Sequence, residues 1–246
     1  MKKIALYSMK GGVGKTAASV NLSYLASRDG ASTLLCDLDP QGASTYYFRI
    51  RASKNFKVNK FIKGGKNIDE NIKGTDFSNL DLLPSKLSYR NLDLALDALK
   101  HSKKRLKQIF NELEEEYDYL FMDCAPGISL ISENVFVAAD IIIVPLIPTT
   151  LSELTYEKLI KFFDKHEIDS SKIYTFFSMV EARKTLHQET MQKILEEGGN
   201  IFETRIPYRS DVEKMGIFKE PVAVTHPASD SALAYENLWN EIKAVL

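Results

Sequence analysis

The sequence predicts a doubly wound α/β fold, a mainly parallel twisted sheet with helices on both faces. Three observations carry that prediction. Short, near-continuous apolar runs alternate with helical patterns along almost the whole chain. Strands of that kind are buried on both sides and belong to parallel sheets with helical crossovers. A glycine-rich turn separates the first apolar run from the first helix, and aspartates close two of the later runs. That is the edge at which an open parallel sheet collects its ligands. A chain of 246 residues can bury such a sheet as one domain, 1–246.

The elements follow in order. "KIALYS" reads as the first strand, the glycine turn comes next, and a helix runs from about Lys15 to Arg28, with Gly30 placed to end it. "STLLCDLD", "LDLLPS", "YLFMDCAP", "DIIIVPLIP", "KIYTFFSMV" and "NIFETRIP" are the remaining strands, with helices between most of them. The polar, basic stretch 49–76 reads as a loop-rich excursion. In the last segment, "SALAYENLWNEIKAVL", Leu238, Trp239, Ile242 and Val245 recur at helical spacing. Its opposite face is not basic, so a helix packed on the core is expected and a membrane partner is not.

Bulk properties exclude several classes. The net charge of -1 gives no global attraction to polyanions, so any such partner must meet a local patch. Cys36 and Cys124 are too few for a disulfide framework, form no C-x-x-C pair, and read as buried strand cysteines in a reducing, cytoplasmic setting. The longest apolar stretch, "VFVAADIIIVPLIP", is broken by Asp140 and Pro145 and is short for a membrane span.

The chemistry begins at "SMKGGVGKTAAS". A phosphate-binding loop has the pattern G-x-x-x-x-G-K-[ST]. Here Lys15 and Thr16 are in place, Met9 stands where the first glycine belongs, and an additional lysine, Lys10, precedes Gly11. Gly11, Gly12 and Gly14 let the backbone pass close to phosphate oxygens, and the following helix offers its positive end. Lys15 can reach the β- and γ-phosphates, and the Thr16 hydroxyl can ligate Mg²⁺. Asp123 stands where a magnesium-associated carboxylate is needed, and Asp39 where a group could orient an attacking water.

"KGGVGKT", "DLDPQGAST" and "DYLFMDCAPG" together resemble the deviant Walker A ATPases of the ParA/MinD superfamily. "RIPYRSDVEKMGIFKEPV" resembles the segment that closes over the base in ParA-type members, and "LLPSKLSYRNLD" is also ParA-like. The resemblance implies a P-loop NTPase that binds ATP and Mg²⁺ and forms a homodimer in the ATP state. Lys10 would reach across that dimer to the partner's phosphates. The backbone from Gly11 through Val13 and Gly14 to Ala17 would bind phosphate, with Thr16, Asp39 and Asp123 at the metal. Pro207, and after it Arg209, would lie at the adenine, although the family often has "IPR" where this chain has "IPY".

The function implied is partition of a plasmid or chromosome. It includes nonspecific DNA binding in the ATP state, nucleoid association and a ParB-like centromere-binding partner. The alternatives are a MinD- or McdA-like ATPase positioning another cargo on membrane or nucleoid, or a metabolic P-loop enzyme. DNA contact needs clustered basic residues. Candidates are the run from Arg49 to Lys66, the cluster from Lys100 to Lys107, and the scattered Arg183, Lys184, Arg205, Arg209 and Lys214.

Overall fold

The computed structural model describes residues 1–100 and 102–246. The chain runs β1 (Lys2–Leu6), α1 (Lys15–Arg28), β2 (Thr33–Asp37), α2 (Ala43–Tyr47), α3 (Val58–Lys63), α4 (Lys66–Asp69), β3 (Lys73–Gly74) and β4 (Leu80–Leu83). Then come α5 (Leu92–Asp97), α6 (Arg105–Asn111), β5 (Tyr119–Asp123), α7 (Leu130–Ala138), β6 (Ile141–Leu146) and α8 (Thr150–Lys165). β7 (Ile173–Val180), α9 (Thr185–Glu197), β8 (Asn200–Pro207), α10 (Ser210–Phe218), α11 (Val222–Thr225) and α12 (Asp230–Val245) complete it. The strands form one sheet in the order β3-β4-β2-β5-β1-β6-β7-β8, parallel throughout except for β3.

Alternation along the strands explains why helices cover both faces. Successive side chains of a strand point to opposite sides. Ile4, Leu6 and Phe121 join a core with α1 and α12, whereas Ala5, Tyr7, Leu120 and Met122 join a second core with α7 and α8. All seven expected strands are present. Helix α1 ends as anticipated, where Gly30 takes φ +96°. Both cysteines are free and buried.

The excursion at 49–76 carries more structure than its composition suggests. It contains α3, α4 and the antiparallel edge strand β3. Phe56, Phe61 and Ile68 are buried and anchor it to the sheet. Its helices are too short to display a helical period, so sparse apolar anchors are the only signal they leave.

Helix α12 packs on the core. Tyr235, Leu238, Trp239 and Ile242 are buried, whereas Val245, expected on that face, is 42% exposed as the last residue of the helix. Trp239 meets Tyr119 and Phe121 with ring centroids 5.2 and 5.9 Å away, and its Nε1 donates to Asp29 Oδ2 at 2.9 Å. No helix among the described residues is long and apolar enough to cross a membrane. Trp239→Ala is expected to cost about 3–5 kcal/mol in urea unfolding. Asp29→Ala, which removes a hydrogen-bond partner without opening the core, should cost about 1 kcal/mol. Equal losses would refute this division.

Candidate active site

The sheet order brings the sequence motifs to one edge. β5 lies between β2 and β1, and β1 lies between β5 and β6. Leu6 pairs with Asp123, and Asp123 with Asp37, so the last residues of three adjacent strands form one rung. The glycine turn leaves β1 above that rung. The chain goes from β1 to β2 on one side while β6 lies on the other, so the strand order reverses here and opens a crevice.

The turn is built for close approach. Gly14 precedes α1 at φ +92°, and a Cβ there would stand 2.8 Å from Ser178 Oγ. No side chain caps α1, so its first N–H groups remain available to an anion. Lys15 is buried, and its Nζ donates to the Lys10 carbonyl at 3.1 Å. Burial lowers its pKa, while the negative charges of Asp123 and Asp39 oppose that shift.

Two carboxyls lie buried beneath the loop. Asp37 Oδ2 accepts from Thr45 N at 2.8 Å and Thr45 Oγ1 at 2.7 Å, and its Oδ1 accepts from Asp39 N at 3.2 Å. Asp123 Oδ2 accepts from Ser44 Oγ at 2.7 Å, whereas Asp123 Oδ1 is buried with no hydrogen-bond partner. Burial pushes both carboxyls above the usual range. Asp123 adds repulsion at Asp37, while the Ser44 and Thr16 hydroxyls and Lys15 pull Asp123 back down against Asp39. An orphaned acceptor held beside Thr16 fits a divalent cation, for which Thr16, Asp123 and Asp39 supply hard oxygen donors.

A cavity of about 570 Å³ opens above these groups. Gly11, Gly12, Gly14, Lys15, Thr16, Ala17 and Asp39 line it together with Gln41, Tyr47, Pro126, Met179, Val212 and Glu213. Asp39 Oδ1 accepts from Gln41 N at 2.9 Å, which tightens the turn that presents it. Five expected residues stand outside this lining, among them Asp123, which is buried beneath it. Val13 is buried under the loop, so only its backbone can serve a phosphate. Pro207 ends β8, and Arg209 turns to Asp230 Oδ2 at 3.1 Å. Lys10 also lies outside the cavity and lines a separate crevice with Met9 and Tyr156. Among the described residues its ammonium forms no hydrogen bond or ion pair, in contrast to Lys15.

The family model described as an AAA domain matches residues 1–174, which includes the loop, Asp39 and Asp123. The chain belongs to that family, within the ParA/MinD superfamily of P-loop ATPases. It is 28% identical over 251 residues to the sporulation initiation inhibitor protein Soj of Bacillus subtilis, covering 99% of this chain and 98% of Soj. A putative plasmid partition protein from Borrelia burgdorferi, solved with AMPPNP, superposes with a TM-score of 0.84 at 25% identity, over 100% of this chain and 99% of the other. Cobyrinic acid a,c-diamide synthase from Mycobacterium smegmatis, solved with ADP and magnesium, reaches 0.82 at 21% identity over 98% and 94%, a likeness of fold alone.

Sequence reading of this P-loop ATPase missed several site residues. Ser44, Thr45 and Ser85 stitch the turn after β2 in place, and all three stood in segments already singled out by motif. Val212 and Glu213, in the first turn of α10, fall in the segment that the resemblance assigns to the base and line the cavity, whereas Pro207 does not. Met179 left no local signal. It lines the cavity at φ +54°, where the β7–β8 register breaks.

Two outcomes are expected. Gly14→Ala combines a left-handed backbone with a clash, so nucleotide binding measured by calorimetry should fall at least tenfold with loss of about 1–3 kcal/mol in stability. Adding Ser178→Ala removes the clash and not the φ strain, so recovery should be partial. The second concerns pH in nucleotide-free protein. Because the folded-state pKa values of Asp37 and Asp123 are raised, the folded chain holds more protons than the unfolded chain above about pH 4. Stability then falls as pH rises. Asp123→Asn removes the mutual repulsion, so its urea midpoint should decline less than wild type between pH 5 and 8; parallel declines would contradict the pairing.

Proposed function

We propose that residues 1–246 act as one ATPase domain, a Mg²⁺-dependent switch that dimerises with ATP and serves plasmid or chromosome partition. The observation that supports this best is the contrast between the two lysines of the loop. Lys15 is buried at its own cavity, whereas Lys10 stands outside it with its ammonium unpaired among the described residues. A lysine so placed is free to serve the phosphates of a second copy, which would couple nucleotide state to association.

In this reading the N–H groups from Gly11 to Ala17 and the Lys15 ammonium hold the phosphates and neutralise charge on the transferring phosphoryl group. Asp39 orients water for in-line attack on the γ-phosphorus, and ADP departs as the bond to its β-phosphate oxygen breaks. Thr16 and Asp123 hold Mg²⁺, with Asp39 nearby; the ion would supply charge neutralisation on the β- and γ-oxygens. Met179, Val212 and Glu213 form the wall available to the base, and by the resemblance Pro207 and Arg209 would lie near it. By the resemblance to ParA proteins, the ATP-bound dimer would bind DNA without sequence preference, on the nucleoid in the cytoplasm, and a ParB-like protein would stimulate turnover. Positioning of another cargo by the same cycle is the runner-up.

Lys10→Ala and Lys15→Ala separate the roles. Lys15→Ala should abolish ATP binding in calorimetry. Lys10→Ala should bind ATP within about threefold of wild type, stay monomeric by light scattering, and lose about 10³-fold in stimulated turnover, the scale of a cation supplied in trans. A Lys10→Ala protein that dimerises and turns over normally would refute the proposal.

A further inference from the structure

The fold joins two lysine-rich runs that are far apart in sequence. Arg105, at the start of α6, donates Nε to the Ile62 carbonyl at 2.7 Å and Nη2 to the Lys63 carbonyl at 2.6 Å, closing the end of α3 against α6. Lys86, in the turn after β4, reaches the same surface, where its Nζ donates to the Lys54 carbonyl at 2.8 Å. Desolvation and the neighbouring charge of Lys57 lower the Lys86 pKa.

Lys54, Lys57, Lys60 and Lys63 are exposed and form no ion pair among the described residues. The interleaved Phe56, Phe61 and Ile62 are buried, so this segment turns its apolar groups inward and its amines outward. Glu112 Oε2 lies at the end of this segment, where it accepts from Gly65 N at 2.7 Å, and pairs with none of the four lysines; clustered like charges left unpaired favour an anionic partner.

Some of the other basic candidates are already occupied. Arg49 holds Asp76 and the Lys219 carbonyl, Lys103 pairs with Glu133, Lys184 with Glu181, and Arg209 with Asp230. In the C-terminal third Arg183, Arg205 and Lys214 are likewise exposed and without an ion pair among the described residues, but they are scattered along the chain, whereas Lys54, Lys57, Lys60 and Lys63 recur within one ten-residue segment. The α3 surface also touches the site. Ser85, next to Lys86, donates its hydroxyl to the Asp39 carbonyl and its N–H to Thr45 Oγ1 at 2.9 Å.

We propose that α3, the start of α6 and Lys86 form the face on which this chain binds the phosphates of duplex DNA, tied to Asp39 through Ser85. This rests on the partition reading above and names its contact surface. Exposed ammonium groups suit a phosphate backbone, where each contact releases counterions and none needs a base sequence. A bilayer would need an exposed apolar stripe to insert, and Phe56, Phe61 and Ile62 are spent on the core.

The test is fluorescence anisotropy with a random-sequence duplex, with ATP, ADP or no nucleotide, between about 50 and 200 mM salt. The triple variant Lys57→Glu, Lys60→Glu, Lys63→Glu is compared with Arg205→Glu, Lys214→Glu. DNA-independent ATP turnover serves as the folding control, since none of these residues lines the nucleotide cavity. Wild type should bind in ATP, and the triple variant should bind at least tenfold more weakly. Its salt slope should be shallower by about 2–3, the loss of roughly 0.9 per phosphate contact. The double variant should stay within twofold of wild type. Loss of binding in the double variant with retention in the triple would overturn the assignment of this face. If wild type turns over ATP yet binds no duplex in any nucleotide state, the partition reading fails as well. Binding of anionic phosphatidylserine vesicles through these lysines, in that event, would give the face to a membrane.

Discussion

Two carboxyls side by side in a dry layer constrain everything around the site. Asp37 and Asp123 end adjacent strands in register, and neither has solvent access. Their repulsion and desolvation must be offset locally, because an uncompensated buried charge is costly. Thr45 and the Asp39 N–H answer Asp37; Ser44 answers Asp123 on one oxygen and leaves the other open. The open oxygen is a free acceptor in a buried site, and Lys15 stands within reach of the same field.

The compensation also determines how the turn after β2 is held. The hydrogen bonds that satisfy Asp37 fix the start of α2 and the presentation of Asp39 toward the cavity. Thr45 and Ser85 extend the network to the end of β4. Tyr46 and Arg49, just beyond, reach the far end of α10 through the Gly216 and Lys219 carbonyls. The first turn of α10 carries Val212 and Glu213, which line the same cavity as Asp39. Thus Asp39 and the α10 residues that line the cavity belong to one connected set of hydrogen bonds, through which a change at Asp39 can be felt at α10.

Much of this was legible in the residues. The phosphate loop is local, because glycine at set positions and a lysine at the start of a helix need no distant partner. Apolar strands between helices specify a parallel sheet by their period and length, and all seven expected strands are present. Asp39 and Asp123 could be picked out because parallel sheets gather ligands at one edge. Pro207 and Arg209 do not line the cavity, whereas helical phase within α10 brings Val212 and Glu213 of the same segment to it.

By itself, then, the sequence determined what is encoded within a few residues or by simple periodicity: the strands, the loop and the carboxylates at strand ends. Only the tertiary structure decided which groups face one another. Sheet order made Asp37 the neighbour of Asp123, and a register break set Met179 against the cavity. The same packing buried Phe56 and Phe61 and left the intervening lysines outside, in a stretch whose composition reads as loop. The physical reason is common to all three: burial and charge compensation depend on distances between remote segments, and no local pattern in the chain carries those distances.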